Sequence, residues 1–193
     1  MVEVTIVVAI LSIVSFMLLG FLDHTSSIAS RSGNNVRTEQ NAQLALRTVS
    51  QDLRSATDIA ACSGVSYSQC LSFEIPRSQT STSAPACPES VVTYRLSGTS
   101  LLRTKTDYSS ACAATVSVNG VPIVSAVQNG TTTPVFTYYD ASQTAIDATT
   151  QAASIPSAAT VVVRVIVTYD SSTSQTLDFS STVALRNNRD TSS

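Results

Sequence analysis

With 193 residues and a formal net charge of −2, the chain has room for one apolar segment and one domain of ordinary size, and a second domain is not expected. Its 11 Lys and Arg are scattered and only 12% of residues are charged, which excludes the basic footprint of a nucleic-acid binder and the polybasic patch that seeks an anionic membrane surface. So little charge, with Ser and Thr filling the segments between apolar runs, suits a protein outside the cytoplasm and within an assembly.

The chain opens MVEVTIVVAILSIVSFMLLGFL, apolar throughout except for Glu3 and a few small polar residues. As a helix, residues 1–22 rise about 33 Å, against about 30 Å for the hydrocarbon layer of a bilayer, so a transmembrane or filament-core helix is predicted here. A secretory signal peptide is the rival, with Ser27-Ile28-Ala29 as a tolerable cleavage site. Its apolar region should be shorter and follow Lys or Arg, yet the first basic residue is Arg31. That lack also leaves the span unoriented by flanking positive charge, and it implies a piece missing upstream, either a leader cut away or a start inside a longer precursor.

Over residues 23–60 the hydrophobicity falls while the helical period continues. Ala42, Ala45, Leu46, Val49, Leu53, Ala56 and Ala60 recur at spacings of three and four, forming one stripe, with Arg47, Gln51, Asp52 and Arg54 largely off it. Ser32-Gly33-Asn34-Asn35 lowers helix propensity between the two halves without ending the helix. The pattern predicts one helix from about residue 2 to about residue 60, apolar all round at first and amphipathic later.

Residues 61–193 change to a period of two. Strands are predicted at 71–75, 91–96, 100–106, 135–139, 161–169 and 175–185, with hairpin turns at Ser97-Gly98-Thr99 and Asp170-Ser171-Ser172-Thr173 and surface loops at 78–84 and 141–154. The expected fold class is α+β, a long amino-terminal helix packed on one antiparallel sheet of about five to six strands. Cys62, Cys70, Cys87 and Cys112 form no CxxC pair and have no histidine at metal-ligand spacing, which argues against zinc. Two disulfides in an oxidising compartment are the better account. Of three pairings the sequential one is preferred, Cys62 with Cys70 and Cys87 with Cys112; the larger loop would contribute about 3 kcal/mol on the chain-entropy account. Four reduced core thiols are the alternative.

Few residues point to chemistry. His24 follows Asp23 just past the apolar run, where an interfacial histidine sits for no catalytic reason, and no phosphate loop, serine elbow or HExxH appears. No cofactor is expected and no metal is assigned; Asp140 and Asp147, flanking a polar loop, are a weak calcium candidate against a solvated loop. Asn129-Gly130-Thr131 has the form of a glycosylation acceptor and reads better as a turn. Glu3 stands apart. An intramembrane carboxylate costs about 2.5 to 3.5 kcal/mol at mid-bilayer and less near an end. It is either a tolerated residue reaching the interface or one half of a charge pair whose other half lies on another molecule, because no cation lies within the span.

VEVTIVVAILSIV, residues 2–14, resembles the amino-terminal segment of type IV pilins and type II secretion pseudopilins. In that family a leader is removed by prepilin peptidase, the new terminus is N-methylated, and a glutamate a few residues on precedes an apolar helix. Residues 43–56 (QLALRTVSQDLRSA), Tyr94-Arg95-Leu96, Phe136-Thr137-Tyr138-Tyr139-Asp140 and Val183-Ala184-Leu185-Arg186-Asn187 are more weakly similar to minor pilins and pseudopilins of the J or W kind. The resemblance implies that Glu3 pairs with the amino-terminal ammonium of an adjacent subunit. That attraction is about 4 kcal/mol at ~4 Å and an effective dielectric of ~20, before desolvation is subtracted. It also implies helix packing through Val4, Val7, Val8, Leu11, Val14 and Leu18. Two departures stand out: two residues precede Glu3 where the family has four, and Gly20 occupies the place where many major pilins carry a helix-breaking proline, permitting a milder unwinding.

The function expected from these readings is a structural subunit, a minor pilin or pseudopilin, of a type IV pilus or type II secretion filament, with no reaction of its own. Its partners would be copies of itself and other pilins, the inner-membrane assembly platform and prepilin peptidase. It would sit in the cytoplasmic membrane before assembly and in a periplasmic or extracellular filament afterwards. The alternative is a membrane-anchored β-rich binding module that never polymerises.

Overall fold

A computed structural model describes residues 2–60, 62, 65–77, 87–130, 133–170 and 175–185; at 2–5, 9, 23, 26–32, 34, 35, 169 and 170 only the backbone is described. The chain divides into a first unit, residues 1–38, and a second, residues 39–193.

Helix α1 is assigned over Val2–Arg54. Within the second unit its last turns bury Ala42, Ala45, Leu46, Val49 and Leu53, the stripe expected from the spacing. The stripe ends earlier than its pattern suggested. The helix stops at Arg54, and Ala56 and Ile59, both 2% exposed, are buried from a turn and from strand β1 (Asp58–Ala60). Thr57 at the joint donates its backbone N–H to Glu74 O, so the sheet captures the backbone there.

Two antiparallel sheets follow. The first is a meander of β1, β2 (Cys70–Ile75), β3 (Ser90–Ser97), β4 (Ser100–Tyr108) and β5 (Ala114–Val124), in that spatial order. The second has the order β7-β6-β8-β9, with β6 Phe136–Tyr139, β7 Ala145–Ile146, β8 Thr160–Asp170 and β9 Gln175–Ala184. Alternation explains the strands: β3 buries Val92 and Tyr94, and β8 buries Val161, Val163, Val165 and Val167. Gly98, at φ +58°, takes the left-handed position that the tight β3–β4 turn requires. The predicted turn at 170–173 and the loop at 78–84 lie mostly or wholly outside the described residues.

The expected fold class is therefore corrected. The described molecule is predominantly β, with two sheets where one was expected, and no long helix packs along a sheet, since only the 42–53 stretch of α1 reaches the core. The transmembrane half of the helix is corrected as well: among the described residues no helix is long and apolar enough to cross a membrane. Strand β5 has no counterpart among the predicted strands; it contains Gly120 and Pro122, which interrupt a strand pattern, and the β4–β5 ladder absorbs them with register shifts at an outer strand. The segment 141–154, expected as loop, carries β7 and the start of a 3-10 turn, Ala152–Ser157, which buries Ile155.

One core serves both sheets, running from the α1 stripe through Phe73, Tyr94 and Leu101 to Phe136, Tyr138 and the β8 valines. Tyr138 joins the sheets by donating its hydroxyl to Tyr67 O and Cys70 O at 3.1 and 3.2 Å. Along β8, the side facing away from β9 is filled in succession by β6, by the amide of Asn129 and by Val127. Asn129 Oδ1 accepts from Ile166 N at 2.8 Å, and its Nδ2 donates to Arg164 O at 3.0 Å and, more weakly, to Thr133 O and Pro134 O. The side-chain amide stands in for a missing peptide unit of the ladder. Asn129 is 7% exposed, which removes it as a glycosylation acceptor in the folded chain.

Asn129→Ala should lower stability by about 1 to 3 kcal/mol, because it leaves the Ile166 N–H and the Arg164 carbonyl, both partly shielded from water, without their partner. A urea titration of the full chain in detergent should show the midpoint falling with unchanged slope; an unchanged midpoint would refute the ladder role.

Candidate functional site

The surfaces able to engage another molecule are built from α1 and from the edges of the second sheet. In the first unit, thirteen large apolar side chains from Ile6 to Leu22 are each 49–82% exposed, with Phe16 the most exposed. At 100° per residue these positions cover every direction around the helix, so no single face is set aside for solvent. Of the residues expected to pack, Val7, Val8, Leu11, Val14 and Leu18 all belong to this surface. The side chains of Glu3 and Val4 lie outside the described residues. Val8, Leu11, Ser12 and Ser15 line a shallow depression of about 310 Å³, where the Ser12 hydroxyl turns back onto Val8 O at 2.7 Å. Gly20 stays within the α-helix, and a Cβ there would meet nothing within 4 Å, so no unwinding marks the position. His24 is exposed.

The second unit holds a polar cluster that the periodicity concealed. Asp52, placed by its spacing largely off the buried stripe, accepts hydrogen bonds at Oδ2 from Tyr94 Oη (2.6 Å), Arg103 Nε (3.0 Å) and Arg103 Nη2 (2.8 Å). The Arg103 and Asp52 side chains are 20% and 19% exposed, so the pair is partly shielded from water. Burial, followed by the bond to Asp52, pushes the Tyr94 phenol well above its ordinary value, and it remains a donor at every physiological pH. This cluster fastens the end of α1 to β3 and β4. No local signal announces it, because its members are 42 and 51 residues apart.

The disulfides join Cys62 to Cys70 and Cys87 to Cys112, with Cα separations of 6.2 and 5.8 Å. Beside the second, Arg77 Nη2 donates to Tyr108 O and Ser109 O, both at 2.7 Å, holding the end of β4 in place. The weak calcium pair is occupied by its own loop. Asp140 Oδ1 accepts from Ser142 N, Ser142 Oγ and Thr144 N, while Asp147 accepts from Thr149 N, Thr149 Oγ1 and Thr150 Oγ1. Among the described residues no three metal-ligating groups come together. The Thr149 hydroxyl and N–H hold the Asp147 carboxyl at about 2, and backbone and side-chain donors from Thr144 and Ser142 lower Asp140 as well.

A groove of about 720 Å³ lies between the last turns of α1 and β9, walled by Gln43, Arg47, Ser50 and Arg54 on the helix and by Phe179 and Ser181 on the strand. Ser50 and Ser181 close its floor with a 2.8 Å hydroxyl contact. Both arginines are exposed, and among the described residues neither has an ion-pair or hydrogen-bond partner.

No protein-family model matches the chain, and no curated protein matches it in sequence.

Two outcomes follow from the geometry. Asp52→Ala, which leaves Tyr94 and Arg103 without their acceptor, should cost about 2 kcal/mol, with Asp52→Asn costing less because an acceptor oxygen remains; chemical denaturation of the full chain decides. The Asp147 carboxyl is depressed relative to the unfolded chain, so its contribution to stability is complete above the ordinary carboxylate range and is lost as pH falls through about 2. An NMR titration of its carboxyl carbon should find that midpoint, and a midpoint near 4 would contradict the turn geometry.

Proposed function

We propose that the chain is a structural subunit of a helical filament, assembled through α1, of the kind formed by minor pilins and pseudopilins. The observation that carries the reading is the apolar surface from Ile6 to Leu22, which surrounds the helix and is exposed at every described position. Patches of this size are not left in water. A helix apolar on all sides is suited to a position among several others, as in the core of a bundle of identical helices. Neighbouring helices in such a bundle approach closely where small residues lie, and Ser12 and Ser15 beside Val8 and Leu11 supply such a place.

The resemblance of residues 2–14 to pilins supports the same reading and gives Glu3 its role. In a packed helical core an unpaired carboxylate is costly, so a subunit is retained where the amino-terminal ammonium of its neighbour meets Glu3 and is rejected one helical step away. The two disulfides agree with delivery to an oxidising compartment.

Glu3→Leu should abolish incorporation into sheared filaments while the membrane fraction of the protein stays constant or rises slightly. Filaments containing the variant at the normal level would sink the proposal and favour an anchored module that does not polymerise. Mass analysis of protein from native envelopes should also find an N-methylated terminus a few residues before Glu3.

A further inference from the structure

The groove beside β9 has a counterpart on the opposite edge of the same sheet. Arg47 and Arg54 stand two helical turns apart, about 10 Å along α1, and both face the groove. β9 is an outer strand, and among the described residues no strand pairs with its other side. At the other edge, β6 and β7 form a hairpin in which Tyr139 pairs with Ala145 and Asp140 N reaches Thr144 O. Asp147 lies three residues beyond Thr144, which places the two carboxylates about 10 Å apart along the hairpin. Their turns fix Asp140 through Oδ1 alone, leaving its Oδ2 without a partner among the described residues, and Asp147 through both oxygens, with Thr149 on Oδ1 and Thr150 Oγ1 on Oδ2.

The geometry points to a contact between copies of this chain, in which the Asp140–Asp147 hairpin of one copy docks into the Arg47–Arg54 groove of the next. The occupant is a second copy because this chain itself carries the complement: two turn-held carboxylates at about the spacing of two guanidinium groups that have no partner among the described residues. Arginine forks suit carboxylates through paired hydrogen bonds. The two surfaces sit on opposite edges of a four-stranded sheet, about 14 Å apart across the strands. A contact between unlike surfaces repeats without closing on itself unless the rotation happens to close, which is the geometry of an open filament. The inference rests on the filament reading for its repetition, whereas the pairwise contact is tested by itself.

The test uses two single-cysteine versions of the full chain, Gln51→Cys on the groove wall and Ala141→Cys on the hairpin, expressed together in the cell envelope and treated with a short bis-maleimide. The four native cysteines are all paired, so each version carries one reactive thiol. A mixed cross-linked dimer is expected only when both versions are present. Its yield should fall roughly ten-fold when Arg47→Gln and Arg54→Gln are added to the groove copy, and again with rising salt. Asp140→Asn with Asp147→Asn, which keep one acceptor oxygen in each turn and give up the Thr150 bond to Asp147, should reduce it by the same factor, and combining the two pairs of changes should reduce it no further. Absence of the mixed dimer, additive losses, or capture by the Gln51→Cys chain of some other acidic protein in its place would overturn the contact. Filaments counted in the same cells separate the two ideas: filaments without the mixed dimer reject this contact alone, and the mixed dimer without filaments rejects polymerisation alone.

Discussion

The structure depends on the stripe of α1 that closes a single core over two sheets. Ala42, Ala45 and Val49 are small enough to let the helix backbone approach, while Leu46 and Leu53 fill the remaining depth. Fully burying a Val or Leu side chain contributes about 1.5 to 3 kcal/mol, so packing, on top of the favourable helix propensity of a stretch rich in Ala, Leu and Gln, holds these turns in place. Everything at the margin of the core follows from that seating. Asp52 is brought to Tyr94 and Arg103, Ser50 to Ser181, and the polar side of the same turns is set against β9 to form the groove.

The two sheets share that core without sharing a ladder, and polar groups join them. Tyr138 is fully buried, and its hydroxyl is satisfied by carbonyls at Tyr67 and Cys70, on the far side of the core from its own strand. Asn129 completes β8 where β6 has ended and Val127 has not begun, so a side-chain amide takes the place of a backbone pair. A buried donor or acceptor left open costs more than the bond it would make, which is why these groups are matched with such economy. The same rule governs the margin of the molecule in reverse. Arg47 and Arg54 are exposed and, among the described residues, have no partner, and an exposed guanidinium carries no such penalty.

The proposed filament role joins the two units by function. The first offers apolar surface in every direction, which suits insertion among like helices and gives little orientation. The second offers charge in two compact places on opposite sheet edges, which contributes less affinity and more register. An assembly built from both would draw cohesion from the helices and subunit order from the charged edges.

The residues alone determined much of the plan. The period change after the helix, the alternation of Val161, Val163, Val165 and Val167, the buried stripe at spacings of three and four, and six of the strand positions were all legible, because each is written in a window of a few residues. The all-round apolarity of residues 6–22 was legible for the same reason. The division into two sheets was not, nor was the true end of the helix, since Ala56 continues the helical spacing while Thr57 and Ile59 are captured by a strand formed of residues some fifteen positions later. Strand β5 was hidden by Gly120 and Pro122, which an outer strand tolerates and an inner one does not. Asp52 with Arg103, Asn129 with Ile166 and the facing of Arg47 and Arg54 toward β9 were decided only by tertiary structure. Hydrophobic periodicity tells which side of an element goes inside, but which polar groups meet there depends on elements that are distant in the chain and adjacent only once the core has closed.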